Sequence, residues 1–437
     1  MQQKTDNSYN SAGVEKPPWL KLGPRFRKLT VAERRIRLCD FLDMSEDELS
    51  ATGFDSEMCD LADIMVESAV GYLPVPLGVA AGFKVDGRLY NVPFAVEEPS
   101  VIAAATFAAS IIGRNGGFVT ESTETVMTAE VYVETGNDPD SRVVTGLISE
   151  VEEELTEPLA AMTRRGGGFR GLDIERIAPD TIAARLHVDT CDAMGANILN
   201  TCAERVRPLI ETRLGGEAIM AILTNAADRR VTTARFSIPV DACARGGRSG
   251  LEVAQRIVKA NRIATIDFHR AVTHNKGIMN GISSVALATG NDTRAIEAAC
   301  HAFAVRDGAY RALTEYEVRD GVLHGSLRVP VAVGTVGGAA GFHPGARFSM
   351  QVLERPDART LASIMACVGL AQNYAALSAL VSEGIQAGHM RLHANRLAWK
   401  AGARGDEIAE LADRLSDEGV FNAEAADQIL AQIRRRG

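Results

Sequence analysis

The pattern changes from about residue 120 to residue 225, where strand-like and helix-like segments alternate, and this alternation limits the possible folds more than any other feature of the sequence. The predicted strands are "AEVYVET", "GLDIERIA", "TIAARLHVDT", "AIMAILTN" and "VTTARFSIPV", and the predicted helices are "VTGLISEVEEELTEPLAAMTRR" and "ANILNTCAERVRPLIETRL". This order predicts a small α/β sandwich inserted in the chain. Aromatic residues make up only 5% of the sequence, while Ala, Gly and Val are abundant, which favours an α/β architecture over an all-β sandwich.

The remaining segments predict a larger and mostly helical domain around this insertion. "GVAAGFKVDGRLYNVPFAV" predicts a hairpin that turns at "VDG", and "VIAAATFAASII" predicts an Ala-rich helix that begins at Pro99. After residue 266 the sequence predicts helices and Gly-rich turns, with a long Ala-rich helix over 357–384. Three short helices follow, and they are too few for a large core of their own, so they form a docked or mobile appendage.

We therefore predict an α/β (α+β) fold with three domains. Residues 1–119 and 226–383 form a discontinuous large domain, residues 120–225 form the small domain, and residues 384–437 form a C-terminal helical flap.

Charge and cysteine content limit the compartment and the partners. The 437 residues carry a formal net charge of −9 that is spread along the chain, which argues against a nucleic-acid-binding protein. The seven cysteines form no CxxC pair, as is typical of a reducing compartment. The N-terminal stretch has no apolar core of a signal peptide, and the apolar stretch 101–113 is too short to cross a bilayer. These features predict a cytoplasmic protein without a membrane partner.

Lys276 has unusual neighbours. It lies in "AVTHNKGIMNGI", which contains amides and glycines but no Asp or Glu. A lysine in a dry pocket with small walls can stabilise an oxyanion. Upstream, Glu97 and Glu98 precede a predicted helix. One of them complements the helix dipole, and the other, between apolar runs, is a candidate buried acid with a raised pKa.

Three further stretches carry alternative interpretations. "DAMGANILN" is either a phosphate-binding helix start or a helix that is N-capped by Asp192. "GGGFRG" follows a helix and precedes a strand, the reverse of a dinucleotide fingerprint, so it predicts a helix stop and a turn. "GTVGGAAGFHP" allows either close backbone approach to a ligand or a packed turn.

Two histidines of the appendage have the spacing of a metal pair. His389 and His393 are four residues apart in "GHMRLHANRLAW", but the Glu of HExxH and a third ligand are missing, so we predict no metal. His389 is either a proton donor that arrives with the appendage or part of a solvated helix face.

The stretches "VEEPS", "DAMGAN", "THNKGIMNG", "ATGND" and "EGIQAGHMRLH", in this order and spacing, resemble the 3-hydroxy-3-methylglutaryl-coenzyme A (HMG-CoA) reductase family. "HNKGIMNG" and "DAMGAN" are similar to its class II form, which is mainly prokaryotic. The resemblance extends from Arg27 in "PRFRKLT" to the terminal helices.

The resemblance implies a role for each matching position. It makes Lys276 the active-site cation, Glu98 the acid, Asp292 the carboxylate that links them, and His389 the donor that protonates the departing thiolate. The resemblance also implies binding residues. The hydroxymethylglutaryl group would be bound by Ser100, Arg270, Asn280 and Asn225, and the coenzyme A phosphates by Arg27. The nicotinamide cofactor would be bound by Asp192, Met194, Gly195, Ala196 and Asn197.

The resemblance also implies NAD(H) or NADP(H) as cofactor, coenzyme A as substrate or product, a small domain that is not a Rossmann fold, and a site at a homodimer interface. Two departures stand out. The family's "ENVIG" is "ESAVG" here, and the segment before "GGG" lacks the Asp of NAD-preferring relatives and carries Arg164 and Arg165 instead. Two other functions fit the residues alone: a Schiff-base lyase or aldolase that uses Lys276, and a non-catalytic coenzyme A-binding protein.

Overall fold

The computed structural model describes residues 26–42, 45, 56–137, 139–384 and 394–436, and the chain divides after Val75 into two units. The α-helices that lie wholly within these ranges are α1 Val31–Leu42, α2 Ser56–Met65, α3 Val101–Arg114, α4 Ser141–Glu154, α5 Ala160–Thr163, α6 Ala196–Leu214, α7 Gly250–Ile266, α8 Phe268–Ala288, α9 Thr293–Phe303, α10 Gly338–Phe342, α11 Pro344–Val352, α12 Ala358–Leu380, α13 Asp406–Glu418 and α14 Ala423–Arg436.

The strands form three sheets within the second unit. They are β1 Leu77–Val85, β2 Arg88–Ala95, β3 Phe118–Ser122, β4 Val126–Glu134, β5 Gly168–Ala178, β6 Thr181–Asp189, β7 Glu217–Leu223, β8 Val231–Pro239, β9 Val305–Arg306, β10 Ala309–Tyr310, β11 Thr314–Arg319 and β12 Val322–Pro330. The sheets have the orders β11-β12-β8-β3-β1-β2, β5-β6-β4-β7 and β10-β9.

The first unit contains α1 and α2, both of which the sequence predicts. Thr30 begins α1 with a reciprocal cap, because Glu33 N donates to Thr30 Oγ1 at 3.3 Å and Thr30 N donates to Glu33 Oε2 at 2.7 Å. Buried Arg34 pairs with Asp63 and donates to the carbonyl of Ala69 at 2.7 Å. This contact ties α1 to the "ESAVG" segment.

Ser68 replaces the family's Asn in that segment at a strained backbone position. Its φ is +62°, in the left-handed region that Asn tolerates better than Ser. We expect Ser68→Asn to stabilise the protein by about 0.5 kcal/mol and Ser68→Val, which is β-branched, to destabilise it by more. Urea unfolding followed by circular dichroism measures both, and a lower midpoint for the asparagine variant would contradict the expectation.

The large sheet contains two hairpins that turn at Asp-Gly. Asp86 and Gly87 join β1 to β2, and Asp320 and Gly321 join β11 to β12, all four with positive φ. The first hairpin confirms the prediction from "VDG". The second was not predicted, and together with β3 and β8 the two hairpins build a six-stranded sheet into the mostly helical large domain. β8, predicted along with the strands of the small domain, also belongs to this sheet.

Helices α3, α7, α8 and α12 pack against the large sheet and against one another. The long Ala-rich helix α12 lies at the centre of this core, where its small side chains allow close helix contacts. By length and hydropathy alone α12 also passes as a membrane span, contrary to the expectation that only the shorter stretch 101–113 had to be considered. In the fold, however, 89% of its most apolar window is buried inside the protein.

The small sheet β5-β6-β4-β7 packs against α4 and α6 and encloses a separate apolar cluster. The sequence predicts a small α/β sandwich in this part of the chain, and in the structure the segment lies between β3 and β8 of the large sheet along the sequence. The segment "VTGLISEVEEELTEPLAAMTRR", predicted as one helix, forms α4 and α5 instead. Residues 155–159 form a turn that contains Pro158, because proline lacks the amide hydrogen that a continuous helix requires.

The C-terminal residues form a small helical group. Residues 394–400 are helical and share an apolar cluster with α13 and α14, to which Ala398, Leu411 and Ile429 contribute. Arg396 Nη2 donates to the carbonyl of Glu97 at 3.1 Å, so the described part of the appendage is docked on the large domain.

Candidate active site

A cavity of about 890 Å³ lies between the start of α3, one face of α8 and the end of α12. Its lining includes five of the site residues predicted from the sequence: Glu98, Ser100, Arg270, Lys276 and Asn280. Alanines of α3 and α12 form much of the remaining wall. The cavity therefore combines a narrow set of charged and amide groups with an apolar surface, as small-molecule sites do.

Helix α8 supplies the cationic side of this cavity. Arg270, Lys276 and Asn280 lie at helical spacing on the face that lines it, with Gly277 between them. Partial burial lowers the pKa of Arg270, although a guanidinium remains charged at neutral pH. Two cations and an amide thus face the same cavity from a single rigid element.

Lys276 and Glu98 form an ion pair although they are 178 residues apart in sequence. Lys276 Nζ lies 2.9 Å from Glu98 Oε2, and Asn280 Nδ2 donates to the same oxygen at 3.3 Å. The expected buried surroundings are not found in a single chain, because the side chains of Lys276 and Glu98 are 60% and 38% exposed. One chain brings these groups together but does not exclude water from them.

The segment before α3 has a strained backbone that directs Glu98 and Ser100 into the cavity. Ser100 is the N-cap of α3, with φ +73° and no side-chain capping bond. The helix begins at Val101, so the prediction that Pro99 occupies its first turn is wrong by two residues. Non-glycine residues keep such a conformation only where the surrounding structure enforces it, and they concentrate at functional sites.

The buried face of α8 carries polar anchors that the sequence analysis missed. Asn275 Nδ2 donates to the carbonyl of Arg311 at 2.8 Å, and Leu313 N donates to Asn275 Oδ1 at 3.1 Å. His274 Nε2 lies 2.6 Å from Thr314 Oγ1, and burial lowers the pKa of His274 to about 3, so its ring is neutral. These bonds fix the rotation of α8 and therefore the direction of Lys276.

The "DAMGAN" loop connects β6 to α6 on another part of the molecule. Gly195, with φ +103°, is the N-cap of α6, and no side chain caps the helix. The interpretation of Asp192 as the cap is wrong, because its Oδ1 accepts from the amide of Ala358 at the start of α12, at 3.0 Å. Asp192 also lines a cavity of about 440 Å³ beside this loop.

Asp292 lies close to this loop and is absent from the lining of the cavity that contains Lys276. It caps α9 by accepting from the amides of Arg294 and Ala295 at 3.0 and 3.1 Å. Its neighbour Asn291 accepts from Gly334 N at 2.8 Å, and a Cβ on Gly334 would lie 2.7 Å from Met194 N. Among the residues described, no hydrogen bond or ion pair joins Asp292 to the Lys276–Glu98 pair. Gly334, the first residue of "GTVGG", is therefore closely packed, while residues 336–338 are exposed.

The other predicted site residues lie elsewhere. Asn225 is exposed in the loop between β7 and β8 and is absent from the lining of the 890 Å³ cavity. Arg27 lies in the short 3-10 helix Phe26–Lys28 of the first unit. His389 and His393 lie outside the described residues, and the described part of the chain contains no cluster of three metal-ligating side chains.

Comparisons with known proteins agree on one family. The model of the hydroxymethylglutaryl-coenzyme A reductase family matches residues 30–394. The chain is 41% identical over 419 residues to 3-hydroxy-3-methylglutaryl-coenzyme A reductase of Archaeoglobus fulgidus, and the aligned region covers 94% of each protein. It is 35% identical over 421 residues to a probable enzyme of the same name from Borreliella burgdorferi, which covers 95% of this chain and 96% of that protein.

A solved structure extends the comparison to the fold. The class II 3-hydroxy-3-methylglutaryl-CoA reductase of Streptococcus pneumoniae, bound to NADPH in open conformations, is 39% identical and superposes with a TM-score of 0.73 over 93% of this chain and 100% of that one. The resemblance found in the sequence is thereby confirmed, and the chain belongs to the hydroxymethylglutaryl-coenzyme A reductase family.

Proposed function

We propose that this protein interconverts (S)-HMG-CoA and (R)-mevalonate plus coenzyme A by two successive hydride transfers with NAD(P)(H), through a mevaldyl-CoA hemithioacetal and mevaldehyde. The observation that carries the proposal is the Lys276–Glu98 pair, which faces a cavity of about 890 Å³ in a chain of this family. Arrival of each hydride places negative charge on a former carbonyl oxygen. The Lys276 ammonium stabilises that charge, and Glu98, in its protonated form, gives its carboxyl proton to the aldehyde oxygen.

The same cavity has groups suited to the acyl part of the substrate. Arg270 provides a fixed cation for the carboxylate of the hydroxymethylglutaryl group, and Ser100 and Asn280 provide a hydroxyl and an amide. The alanine-rich wall suits the aliphatic part of the thioester chain. Arg27, which belongs to the first unit, remains our candidate for the coenzyme A phosphates.

The cofactor fits the loop from Asp192 to Asn197. Since no side chain caps α6, the amide hydrogens of its first turn are available to a phosphate, and Gly195 adds no side chain at this point. When bound there, the nicotinamide supplies the hydrides. Arg164 and Arg165 lie near this loop, because Cys191 Sγ is 3.9 Å from the carbonyl of Arg165. Two arginines in a segment whose sequence contains no Asp favour NADP(H) over NAD(H).

We further propose that a complete site requires two copies of the chain. Lys276 is twelve residues before the end of α8, so about 18 Å of helix separates it from the turn that carries Asp292. The substrate half-site contains Glu98 and Lys276, and the cofactor half-site contains the "DAMGAN" loop and Asp292. These two half-sites are therefore apart in one chain. A second copy that places its Asp292 against the exposed Lys276–Glu98 pair would complete the site and exclude water.

The ion pair also separates this proposal from the alternatives. A Schiff-base lyase needs a lysine amine that is free to attack a carbonyl, whereas the Lys276 amine is held by Glu98. A coenzyme A-binding protein without activity has no use for the pair. The decisive assay follows absorbance at 340 nm with mevalonate and coenzyme A, run separately with NAD and with NADP. Reduction of neither cofactor would refute the proposed reaction, and trapping of a carbonyl substrate by borohydride would support the lyase.

His389 is our candidate for the acid that protonates the departing coenzyme A thiolate. We expect His389→Gln to impair thioester reduction far more than reduction of free mevaldehyde, because the aldehyde step expels no thiolate. Cofactor consumption measures each half-reaction separately. His393→Gln is the matched control and should affect both steps less. Equal losses in the two half-reactions would assign His389 to binding instead.

A further inference from the structure

The cofactor loop, residues 190–195, has a backbone that needs external support. Cys191 has φ +51° and Gly195 has φ +103°, so two of its six residues are left-handed. Thr190 Oγ1 donates to the carbonyl of Ala193 at 2.8 Å, which closes the loop on itself. A bond within the loop fixes its shape but not its position relative to the rest of the protein.

Arg230, at the start of β8, provides contacts from outside the loop. Its side chain is buried, with the residue 4% exposed. Nη1 donates to the carbonyl of Ala193 at 3.0 Å and to Thr190 Oγ1 at 3.3 Å, while Nη2 donates to the carbonyl of Val333 at 2.6 Å. Within the described residues it forms no ion pair. Burial lowers the pKa of Arg230 to about 10, which still leaves it charged at neutral pH.

A buried cation without a direct ion pair is costly, and here the carboxylates of Asp189 and Asp192 offset part of that cost by attracting the charge. The three acceptors of Arg230 belong to two segments: the cofactor loop and a strip of chain that follows β12, residues 331–335. That strip continues the contact: Thr335 N donates to the carbonyl of Asp192 at 2.9 Å, and Gly334 N donates to Asn291 Oδ1 at 2.8 Å. The strip therefore touches both the cofactor loop and the turn that carries Asp292.

We infer that Arg230 is a positioning residue that fixes the cofactor loop against the strip 331–335, and thereby sets the place of the bound cofactor relative to Asp292. The inference rests on the proposed function, because it takes the loop to be the cofactor site. Arg230 does not line the 890 Å³ cavity. Its loss should therefore weaken cofactor binding and leave coenzyme A binding intact.

The experiment compares Arg230→Met, Arg230→Lys and Thr190→Val in the full-length protein. NADPH and NADH binding are measured by cofactor fluorescence, and coenzyme A binding by calorimetry, well below the Tm of each variant. Hydrogen bonds of a charged group contribute about 1.5–3 kcal/mol, so we expect Arg230→Met to raise the cofactor Kd by about tenfold or more. Arg230→Lys keeps the charge with fewer directed donors and should lie between Arg230→Met and the wild type.

Thr190→Val is nearly isosteric and removes only the hydroxyl, so it keeps the inference testable if Arg230→Met does not fold. It should weaken cofactor binding in the same direction. Thr232→Val is the matched control, because Thr232 is also buried and its hydroxyl bonds to Ser122, away from the loop. An unchanged cofactor Kd in the folded variants, or equal losses of cofactor and coenzyme A affinity, would overturn the inference. Failure of the wild-type protein to bind either cofactor would instead refute the proposed function.

Discussion

Replacement of Lys276 by alanine is expected to lower kcat by about 100-fold or more in both directions while the protein remains folded. The lysine ammonium is in direct contact with Glu98, and stabilisation of a developing oxyanion contributes about 3 kcal/mol for each donor that is lost. The fold should tolerate the change because the side chain is 60% exposed in a single chain and its ion pair is not part of the core. Steady-state rates with mevalonate and with HMG-CoA measure the effect.

Two further variants separate the catalytic role from general charge effects. Lys259→Ala removes an exposed lysine from the neighbouring helix α7 and should leave kcat unchanged. Lys276→Arg keeps the positive charge but places a larger, planar group in the cavity, so its activity should lie between those of Lys276→Ala and the wild type. If the alanine variant retained more than about a tenth of the wild-type kcat, Lys276 would not be the principal oxyanion donor.

Elements governed by local rules could be predicted from the sequence. The bounds of α6 follow from its amphipathic pattern and from a glycine at each end, and the hairpin at Asp86–Gly87 follows from its turn residues. The hairpin at Asp320–Gly321 has the same turn signal and was missed because the surrounding segments were interpreted as helical. Strand order was beyond local rules, since β3 pairs with β8 more than a hundred residues later.

In the candidate site, too, residue roles could be predicted from the sequence, whereas contacts that depend on tertiary packing could not. The resemblance to a family assigned Glu98 and Lys276 their roles, but their contact depends on how α3 and α8 pack together. His274, Asn275 and Arg230 gave no local signal, because a buried polar side chain has the same sequence surroundings as an exposed one. Asp192 was misinterpreted for a related reason. Local rules predict that its carboxylate caps α6, but the carboxylate instead accepts a hydrogen bond from the amide of Ala358, which is distant in sequence.

The separation of the two half-sites leads to a prediction about mixed oligomers. Lys276→Ala and Asp292→Asn should each be inactive as homodimers, yet a mixture with exchanged subunits should recover activity. Asparagine is as good an N-cap as aspartate, so Asp292→Asn keeps α9 intact and removes only the charge. In a mixed dimer one site carries both defects and the other carries neither. The isolated mixed dimer of a two-fold symmetric pair should therefore show about half of the wild-type kcat, and an unfractionated mixture with random pairing should show about a quarter.

The matched control mixes Lys276→Ala with Glu98→Gln. Both residues belong to the substrate half-site, so each site of that mixed dimer keeps one defect and no activity should return. Co-expression with two different affinity tags gives the mixed species, and kcat is measured on the doubly purified protein. Recovery in both mixtures would show that Glu98 and Lys276 come from different copies. Recovery in neither would place Asp292 in the same half-site as Lys276, a placement that conflicts with the helix of about 18 Å between them.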